Sequence, residues 1–163
     1  MDHKLEILTE SLPKAILQAL TPEALEAVPS QFLRGDKIAL YAFPFKIGRE
    51  SRVIKVNGKL ERMERPKKDD SQPSNDLYLI DRGHCLNISR EHFEIVKSDG
   101  GYTLVDRGSA CGTKIEGRNV GGDDTGGSAK LQDGDEIAVG AVGTPYIFRF
   151  ISFDEYCVVR KTA

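Results

Sequence analysis

Arginine and serine side chains stand where this chain is expected to turn, and both can hold an anion. They occur within five short motifs, which are, in order, Gly48-Arg49, Ser89-Arg90-Glu91-His92, Asp106-Arg107-Gly108-Ser109, Gly112-Thr113 and Gly134-Asp135. A guanidinium offers a planar fork that fits two oxygens at once, and a serine offers a hydroxyl and a backbone N–H. Together the motifs predict loops that hold a small anion at one end of a β-sandwich.

Short strands joined by glycine-containing turns are expected to carry these motifs. The clearest element is a hairpin, because residues 93–96 and 102–105 flank the turn sequence Ser98-Asp99-Gly100-Gly101. Residues 146–153 alternate between two faces, as a strand does. Further strands are expected at residues 38–41, 45–47, 77–80 and 136–139. Short strands at regular spacing with glycine turns predict an all-β fold, a β-sandwich.

The N-terminal segment has a helical pattern instead. Apolar residues recur at spacings of three and four along residues 4–28, at Leu5, Leu8, Leu12, Ile16 and Leu20. Thr21-Pro22 is typical of an N-cap and first helical residue, and Pro29 would end that second helix. We therefore predict a short helical extension (residues 1–30), a β-sandwich domain (residues 35–155) and a C-terminal tail (residues 156–163).

Two segments are expected to be irregular. Residues 50–76 form a polar loop that is long for a compact domain. Its mixed charges indicate either a solvated segment or a flap that adds cations beside a bound anion. Residues 121–128 are rich in glycine and are expected to stay unordered without a partner.

Charge and cysteine content exclude several classes of protein. The 163 residues carry a formal net charge of −2, whereas non-specific nucleic-acid binding needs a strong basic excess. The cysteines, Cys85, Cys111 and Cys157, are odd in number and lack a CxxC spacing, so a reducing compartment fits better than a disulfide framework. No apolar run is long enough to cross a bilayer, and we expect no signal peptide, because the N-terminal residues lack a basic stretch followed by a continuous apolar run. We expect a cytoplasmic protein that binds neither nucleic acid nor membrane.

In this order the motifs resemble those of the forkhead-associated (FHA) domain, a β-sandwich that binds phosphothreonine in peptides. The resemblance covers residues 45–150, roughly two thirds of the chain. The matching segments are I-G-R at 47–49, L-Y-L-I-D at 77–81, N-I-S-R-E-H at 87–92, Y-T-L-V-D-R-G-S at 102–109, G-T-K-I-E-G at 112–117 and L-Q-D-G-D-E-I-A-V-G at 131–140.

The resemblance implies that the anion is the phosphate of a phosphothreonine peptide. It assigns phosphate contacts to Arg49 and Ser89, with Arg90 either a second cation or a solvated side chain. Ala110 and Cys111 occupy the turn that contacts the peptide backbone, where the family often has Ser or Thr followed by Asn. Cysteine is a weak donor and a weak acceptor, so this chain departs from the family at that contact.

Four further residues are expected to support the site, namely Gly48, His92, Gly112 and Thr113. Gly48 would let the backbone turn sharply enough to aim the guanidinium of Arg49. In the family, the histidine at the position of His92 braces the loop that carries the serine. Taken without the family, Gly48-Arg49 could simply end a strand and Ser89 could simply cap a turn.

The sequence thus predicts a signalling adaptor that binds a phosphothreonine protein or peptide, downstream of a Ser/Thr kinase. The alternative is a phosphate-independent interaction module with a degenerate pocket, suggested by Ala110, Cys111 and the acidic Glu116. An enzyme ranks last, because Ser89 and His92 lack a third group that would orient them for catalysis.

No cofactor or metal is expected. The group His84, Cys85, His92 and Cys111 matches no zinc spacing, and Asp123-Asp124 lacks the flanking ligands of a calcium loop. Thr9 and Thr21 give a separate hypothesis, in which phosphorylation of either residue would drive self-association.

Overall fold

A computed structural model describes residues 2–50, 53–62, 74–83 and 85–162. Its helices are α1 (His3–Ser11) and α2 (Pro22–Ala27), and a 3-10 turn (Ser30–Phe32) follows α2. Its strands are β1 (Ala15–Ala19), β2 (Leu33–Arg34), β3 (Lys37–Leu40), β4 (Phe45–Arg49), β5 (Val53–Val56), β6 (Lys59–Arg62), β7 (Leu77–Leu79), β8 (Phe93–Ser98), β9 (Gly101–Asp106), β10 (Thr113–Ile115), β11 (Arg118–Val120), β12 (Gly127–Leu131), β13 (Glu136–Val139) and β14 (Ile147–Ser152).

Two sheets face each other across one apolar core. The larger sheet has seven strands in the order β11-β10-β13-β14-β1-β3-β2, and the smaller has five in the order β12-β9-β8-β4-β7. Alternate residues of each strand point inward, so Phe148 and Phe150 of β14 and Leu104 of β9 are buried in the same cluster. The predicted all-β sandwich is confirmed.

The helical prediction for residues 4–28 is wrong over β1. Ala15, Leu17 and Ala19 are buried in alternation, and β1 pairs with β14 on one side and β3 on the other. The reason is Pro13, which disfavours a helical conformation at the residue before it. Leu12 is extended and ends α1. A domain boundary near residue 30 would therefore cut through the larger sheet.

The two helices differ in what they contact. Thr21 caps α2 by accepting the N–H of Ala24, as its sequence predicts, and Ala24 and Ala27 are buried. The carbonyl of Ala27 accepts the N–H of Ile80, which joins α2 to the segment after β7. In contrast, α1 buries none of its residues. Among the described residues, no helix is long and apolar enough to span a membrane.

The turns include one hairpin that was predicted and one that was not. Ser98 pairs with Gly101 across the predicted turn of β8 and β9. Within the segment predicted as a polar loop, β5 and β6 pair across Asn57 and Gly58. Both turn residues have positive φ, 50° and 79°, which is the conformation that Asn-Gly hairpins favour. Residues 63–73 of that loop lie outside the described residues.

The expectation that residues 121–128 stay unordered is also wrong. The N–H of Asp123 donates to the carbonyl of Ala110, and that of Asp124 donates to the carbonyl of Ser109. β12 then begins at Gly127 and pairs with β9. Hydrogen bonds to the backbone carbonyls of Ser109 and Ala110 therefore hold this turn in place.

Candidate functional site

Several connections of the sandwich meet at one of its ends. Phe93, at the start of β8, pairs with Ile47 near the end of β4 and with Asp106 at the end of β9. In the other sheet, Thr113 at the start of β10 pairs with Val139 at the end of β13. The segments after β4, between β7 and β8, between β9 and β10, and between β13 and β14 therefore lie together.

Arg49 and Ser89, which are 40 positions apart in the sequence, are hydrogen-bonded neighbours at this end. Arg49 is the last residue of β4, and its backbone N–H donates to the carbonyl of Ser89 over 2.9 Å. Both residues are half-buried, and the Nε atom of Arg49 is shielded from solvent. The side chains of Arg49 and Ser89 thus extend from adjacent backbone segments.

The Ser89 hydroxyl already has one partner. Its Oγ accepts the backbone N–H of Ala110 over 3.0 Å, which links the segment before β8 to the segment after β9. A serine hydroxyl carries one donor and two acceptor lone pairs. Because the bond from Ala110 uses a lone pair, the O–H remains able to donate to an incoming oxygen.

His92 fixes the backbone that presents Ser89. It is fully buried, its Nδ1 accepts the N–H of Ser89 over 2.9 Å, and its Nε2 lies 2.8 Å from the carbonyl of Gly112. Since Nδ1 accepts, Nε2 must carry the proton and donate to Gly112. Burial lowers the pKa of His92 below its ordinary value, and the Gly112 carbonyl opposes that shift. The neutral ring therefore connects Ser89 to the start of β10.

Asp81 organises the rest of the segment between β7 and β8. Its Oδ2 accepts the N–H groups of Asn87 and Ile88, and its Oδ1 accepts the N–H of Gly83 and the hydroxyl of Tyr146. Asp81 is buried, and charge-assisted bonds of this kind are the strong ones. Burial, with the Asp81 carboxylate as second cause, raises the pKa of Tyr146 to about 12.

Gly48 is needed for close packing and does not make the sharp turn that the sequence predicts. It lies inside β4, paired with Tyr78. A Cβ built on it would fall 2.0 Å from the carbonyl oxygen of Arg90 and 2.6 Å from Nδ2 of Asn75. Only a residue without a side chain lets the backbone at Arg90 approach β4 this closely.

Asn75 and Arg107 hold the backbone of Arg90 in that position. The buried Asn75 donates through Nδ2 to the Arg90 carbonyl over 2.8 Å and accepts a bond from Arg107 through Oδ1. Arg107 also donates to the carbonyl of Ser74 over 2.9 Å and lies 3.5 Å from the Glu91 carboxylate. The side chain of Arg90 itself is exposed, so its charge faces solvent beside Arg49 and Ser89.

The buried carboxylate of Asp106 holds the segment between β9 and β10 through hydrogen bonds. Asp106 accepts the N–H groups of Gly108 and Ser109 and the Ser109 hydroxyl. The Ser109 Oγ in turn accepts the N–H of Gly112 over 3.0 Å. Gly112 has a φ of 77°, and its carbonyl accepts from both His92 and Gly140. These bonds present Ala110, which is exposed, at the mouth of the site.

The side chains of Cys111 and Thr113 make different kinds of contact. The Cys111 thiol donates to the carbonyl of Leu86 over 3.5 Å and is half-buried. Thr113 is buried in β10, and its Oγ1 has no hydrogen-bond partner among the described residues. It therefore supports the site through packing.

Glu116 is far from the site, contrary to the suggestion that it adds negative charge there. It lies in the turn between β10 and β11, at the other end of β10 from Thr113, and its carboxylate accepts the N–H of Glu136 over 2.7 Å. That observation removes one reason for a degenerate pocket.

The structure therefore brings together Arg49, Ser89, Arg90, Ala110 and Cys111, with Gly48, His92 and Gly112 directly behind them. Sequence reasoning assigned no role to a second set of polar groups, Asn75, Asp81 and Arg107. Asp81 and Arg107 lie within the quoted motifs, whereas the signal at Asn75 was a polar residue beside a strand, which most turns share.

Metal sites have no support in the described part of the chain, where no group of three or more His, Cys, Asp or Glu residues is placed to hold an ion. His84, one member of the group considered above, lies outside the described residues, as do Ser51 and Arg52 of the charged loop.

The chain matches the family model of the FHA domain over residues 45–140. The chain belongs to the FHA domain family. The match begins at β4 and ends directly after β13, so it includes Arg49, Ser89, Arg90, Ala110 and Cys111. The resemblance found in the sequence is confirmed.

Two solved FHA domains are similar to this chain at low sequence identity. One is the N-terminal FHA domain of Rad53p from S. cerevisiae, in complex with a phosphothreonine peptide, with a TM-score of 0.51, 20% identity, and coverage of 86% of this chain and 94% of that one. Another is the FHA domain of a Chlamydia trachomatis protein, with a TM-score of 0.49, 18% identity, and coverage of 85% and 97% respectively. No curated protein matches the chain.

Proposed function

We propose that this FHA domain binds phosphothreonine-containing peptides through Arg49 and Ser89. The observation that supports the proposal is the 2.9 Å bond from the Arg49 N–H to the Ser89 carbonyl, which joins the backbones of these two residues. Arg90 would add a second cation at the rim. Ala110 and Cys111 would contact the peptide mainly through their backbone, since neither side chain is a strong polar group.

The charge and geometry of a phosphate suit these groups. A phosphothreonine carries about −1.5 to −2 charges and three acceptor oxygens. A guanidinium can donate to two of them, and the Ser89 hydroxyl to the third. Hydrogen bonds to charged groups contribute about 1.5–3 kcal/mol each, so each donor would favour the phosphorylated peptide by roughly ten- to a hundredfold.

The comparison with solved structures supports the same ligand class. The Rad53p domain was determined with a phosphothreonine peptide. By extension, this chain would be a recognition module rather than an enzyme, acting in the cytoplasm as a signalling adaptor. Its partner would be a Ser/Thr kinase or that kinase's substrate, because such a kinase makes the ligand.

A phosphate-independent interaction module is the second candidate. It is favoured by the Cys111 thiol, which contacts the chain's own Leu86 carbonyl, and by α1, whose Ile7 and Leu8 are about half exposed, at 48% and 53%. In that case the apolar face of α1, rather than the loops around Arg49, would carry the contact.

The discriminating experiment is a binding profile against a degenerate phosphothreonine peptide library at physiological salt. The same library treated with phosphatase is the matched control. Binding that disappears after phosphatase treatment supports the proposal, whereas equal binding to both libraries supports the phosphate-independent module.

A further inference from the structure

Two of the three cysteines stand on facing loops beside the candidate phosphate site. The Cys111 Sγ lies 3.5 Å from the carbonyl oxygen of Leu86, the residue that directly follows Cys85. All three thiols are free, with Cys85 exposed and Cys111 half-buried. The third, Cys157, lies in the C-terminal segment, in a groove with Lys97 near the far end of β8.

Cys85 lies in the connection between β7 and β8, among exposed residues. Arg82, Gly83, Cys85 and Leu86 are all exposed and belong to no helix or strand. Asp81 binds the N–H groups on both sides of the exposed part, at Gly83 and Asn87. Because Cys85 and Leu86 are exposed, their backbone can shift toward Cys111 with little loss of packing, and a disulfide requires the two Cα atoms to come within about 7 Å of each other.

We propose that Cys85 and Cys111 form a dithiol site at which a peroxide makes a reversible disulfide. The exposed Cys85 thiolate attacks one peroxide oxygen, the O–O bond breaks, and Cys85 becomes a sulfenic acid as the peroxide is reduced. The Cys111 thiolate then attacks the Cys85 sulfur and forms the S–S bond, and the sulfenic oxygen leaves as water. Two thiols and one hydrogen peroxide give one disulfide and two waters.

The disulfide would alter ligand binding, and this half of the inference rests on the proposed function. Cys111 follows Ala110, whose N–H is the partner of the Ser89 Oγ. Drawing Cys111 toward Cys85 moves that N–H and covers the surface between the two loops with the sulfur bridge. Oxidation should therefore weaken phosphopeptide binding, by about tenfold if the contribution of one donor to the phosphate is lost.

The test uses the full chain with Cys157→Ser, which removes the third thiol. Hydrogen peroxide is added under native conditions, and intact mass with peptide mapping then detects a loss of two hydrogens and the linkage formed. Cys85→Ser and Cys111→Ser in the same background are the controls, and dithiothreitol should reverse the change. Phosphothreonine-library binding is measured on the reduced and oxidised forms.

A Cys85–Cys111 linkage with weakened, dithiothreitol-reversible binding supports the inference in full. If the chain reaches only sulfinic acids or intermolecular dimers, the dithiol site is wrong. If the linkage forms and affinity is unchanged, the effect on binding is wrong. If the reduced protein binds no phosphopeptide, the proposed function fails, while the mass measurement still decides whether the dithiol site exists.

Discussion

His92 accepts the backbone N–H of Ser89 through Nδ1 and donates to the carbonyl of Gly112 through Nε2. One buried ring thereby joins the smaller sheet, the serine segment and the start of β10. Protonation of Nδ1 would replace this acceptor with a donor that faces the Ser89 N–H. The arrangement therefore requires a neutral imidazole, and it makes stability depend on pH.

Stability should fall as the solution is acidified through the range where histidine titrates. Burial lowers the pKa of His92 in the folded state below the ordinary value of 6.5. Below about pH 6.5 His92 binds a proton in the unfolded chain but not in the folded chain. The free energy of unfolding therefore decreases by up to about 1.4 kcal/mol for each unit by which the pH falls. Above that pH this contribution is fully present and constant.

Urea unfolding measured from about pH 7.5 to about pH 5.5 checks this prediction. His92→Phe should be less stable at neutral pH and should lose the histidine part of the slope. His3→Gln, at an exposed histidine of α1, should retain it. An unchanged slope in His92→Phe would show that other groups cause the acid sensitivity.

Gly48→Ala should destabilise the fold strongly. The added methyl would fall 2.0 Å from the Arg90 carbonyl, and a buried backbone cannot yield at little cost, so we expect a loss of about 2–4 kcal/mol. Gly100→Ala is the matched control, since its Cβ would meet nothing closer than 4.0 Å. Thermal denaturation compares the two, and similar melting temperatures would contradict the packing role of Gly48.

Asp81→Ala should destabilise the segment that leads to Ser89. The substitution leaves four donors without their acceptor, those of Gly83, Asn87, Ile88 and Tyr146, at an expected total of about 2–4 kcal/mol. Tyr146→Phe removes one of the four bonds and should cost about 1 kcal/mol. Asp99→Ala, in an exposed hairpin turn, serves as the control. Chemical denaturation that finds Asp81→Ala as stable as Asp99→Ala would refute this role.

Ser89→Ala should separate binding from folding. The hydroxyl accepts from Ala110, which is exposed, so water can replace it and stability should change by less than about 1 kcal/mol. Binding of the phosphothreonine library should weaken by roughly ten- to a hundredfold. Ser98→Ala, in the hairpin at the other end of the sandwich, should bind as the unmodified chain does. Titration calorimetry on both variants measures the difference.

Much of the sandwich could be predicted because period-two alternation and glycine turns are local signals. The β8–β9 hairpin is an example, with its two-residue turn and alternating burial. The wrong helical prediction at β1 has a local cause as well, since Pro13 ends α1. The strand-like alternation of Ala15, Leu17 and Ala19 is a weaker signal in the sequence than the helical spacing of the leucines.

The support of the site could not be predicted in this way. Asn75 reaches Arg90 and Arg107 across gaps of 15 and 32 positions, and no periodicity connects such residues. The order of residues 121–126 likewise depends on the carbonyls of Ser109 and Ala110. These contacts exist only after the sheets have brought the loops to one end.

The most direct measurement is an NMR titration of the isotope-labelled chain with the phosphothreonine library, repeated with Arg49→Ala. The phosphorylated library should shift the amide signals of Arg49, Ser89 and Ala110, the dephosphorylated library should leave them in place, and Arg49→Ala should abolish the shifts. Arg118→Ala, at an exposed arginine in β11, should respond as the unmodified chain does. Equal shifts with both libraries, or shifts confined to α1 and the C-terminal segment, would contradict a phosphate site at Arg49 and Ser89.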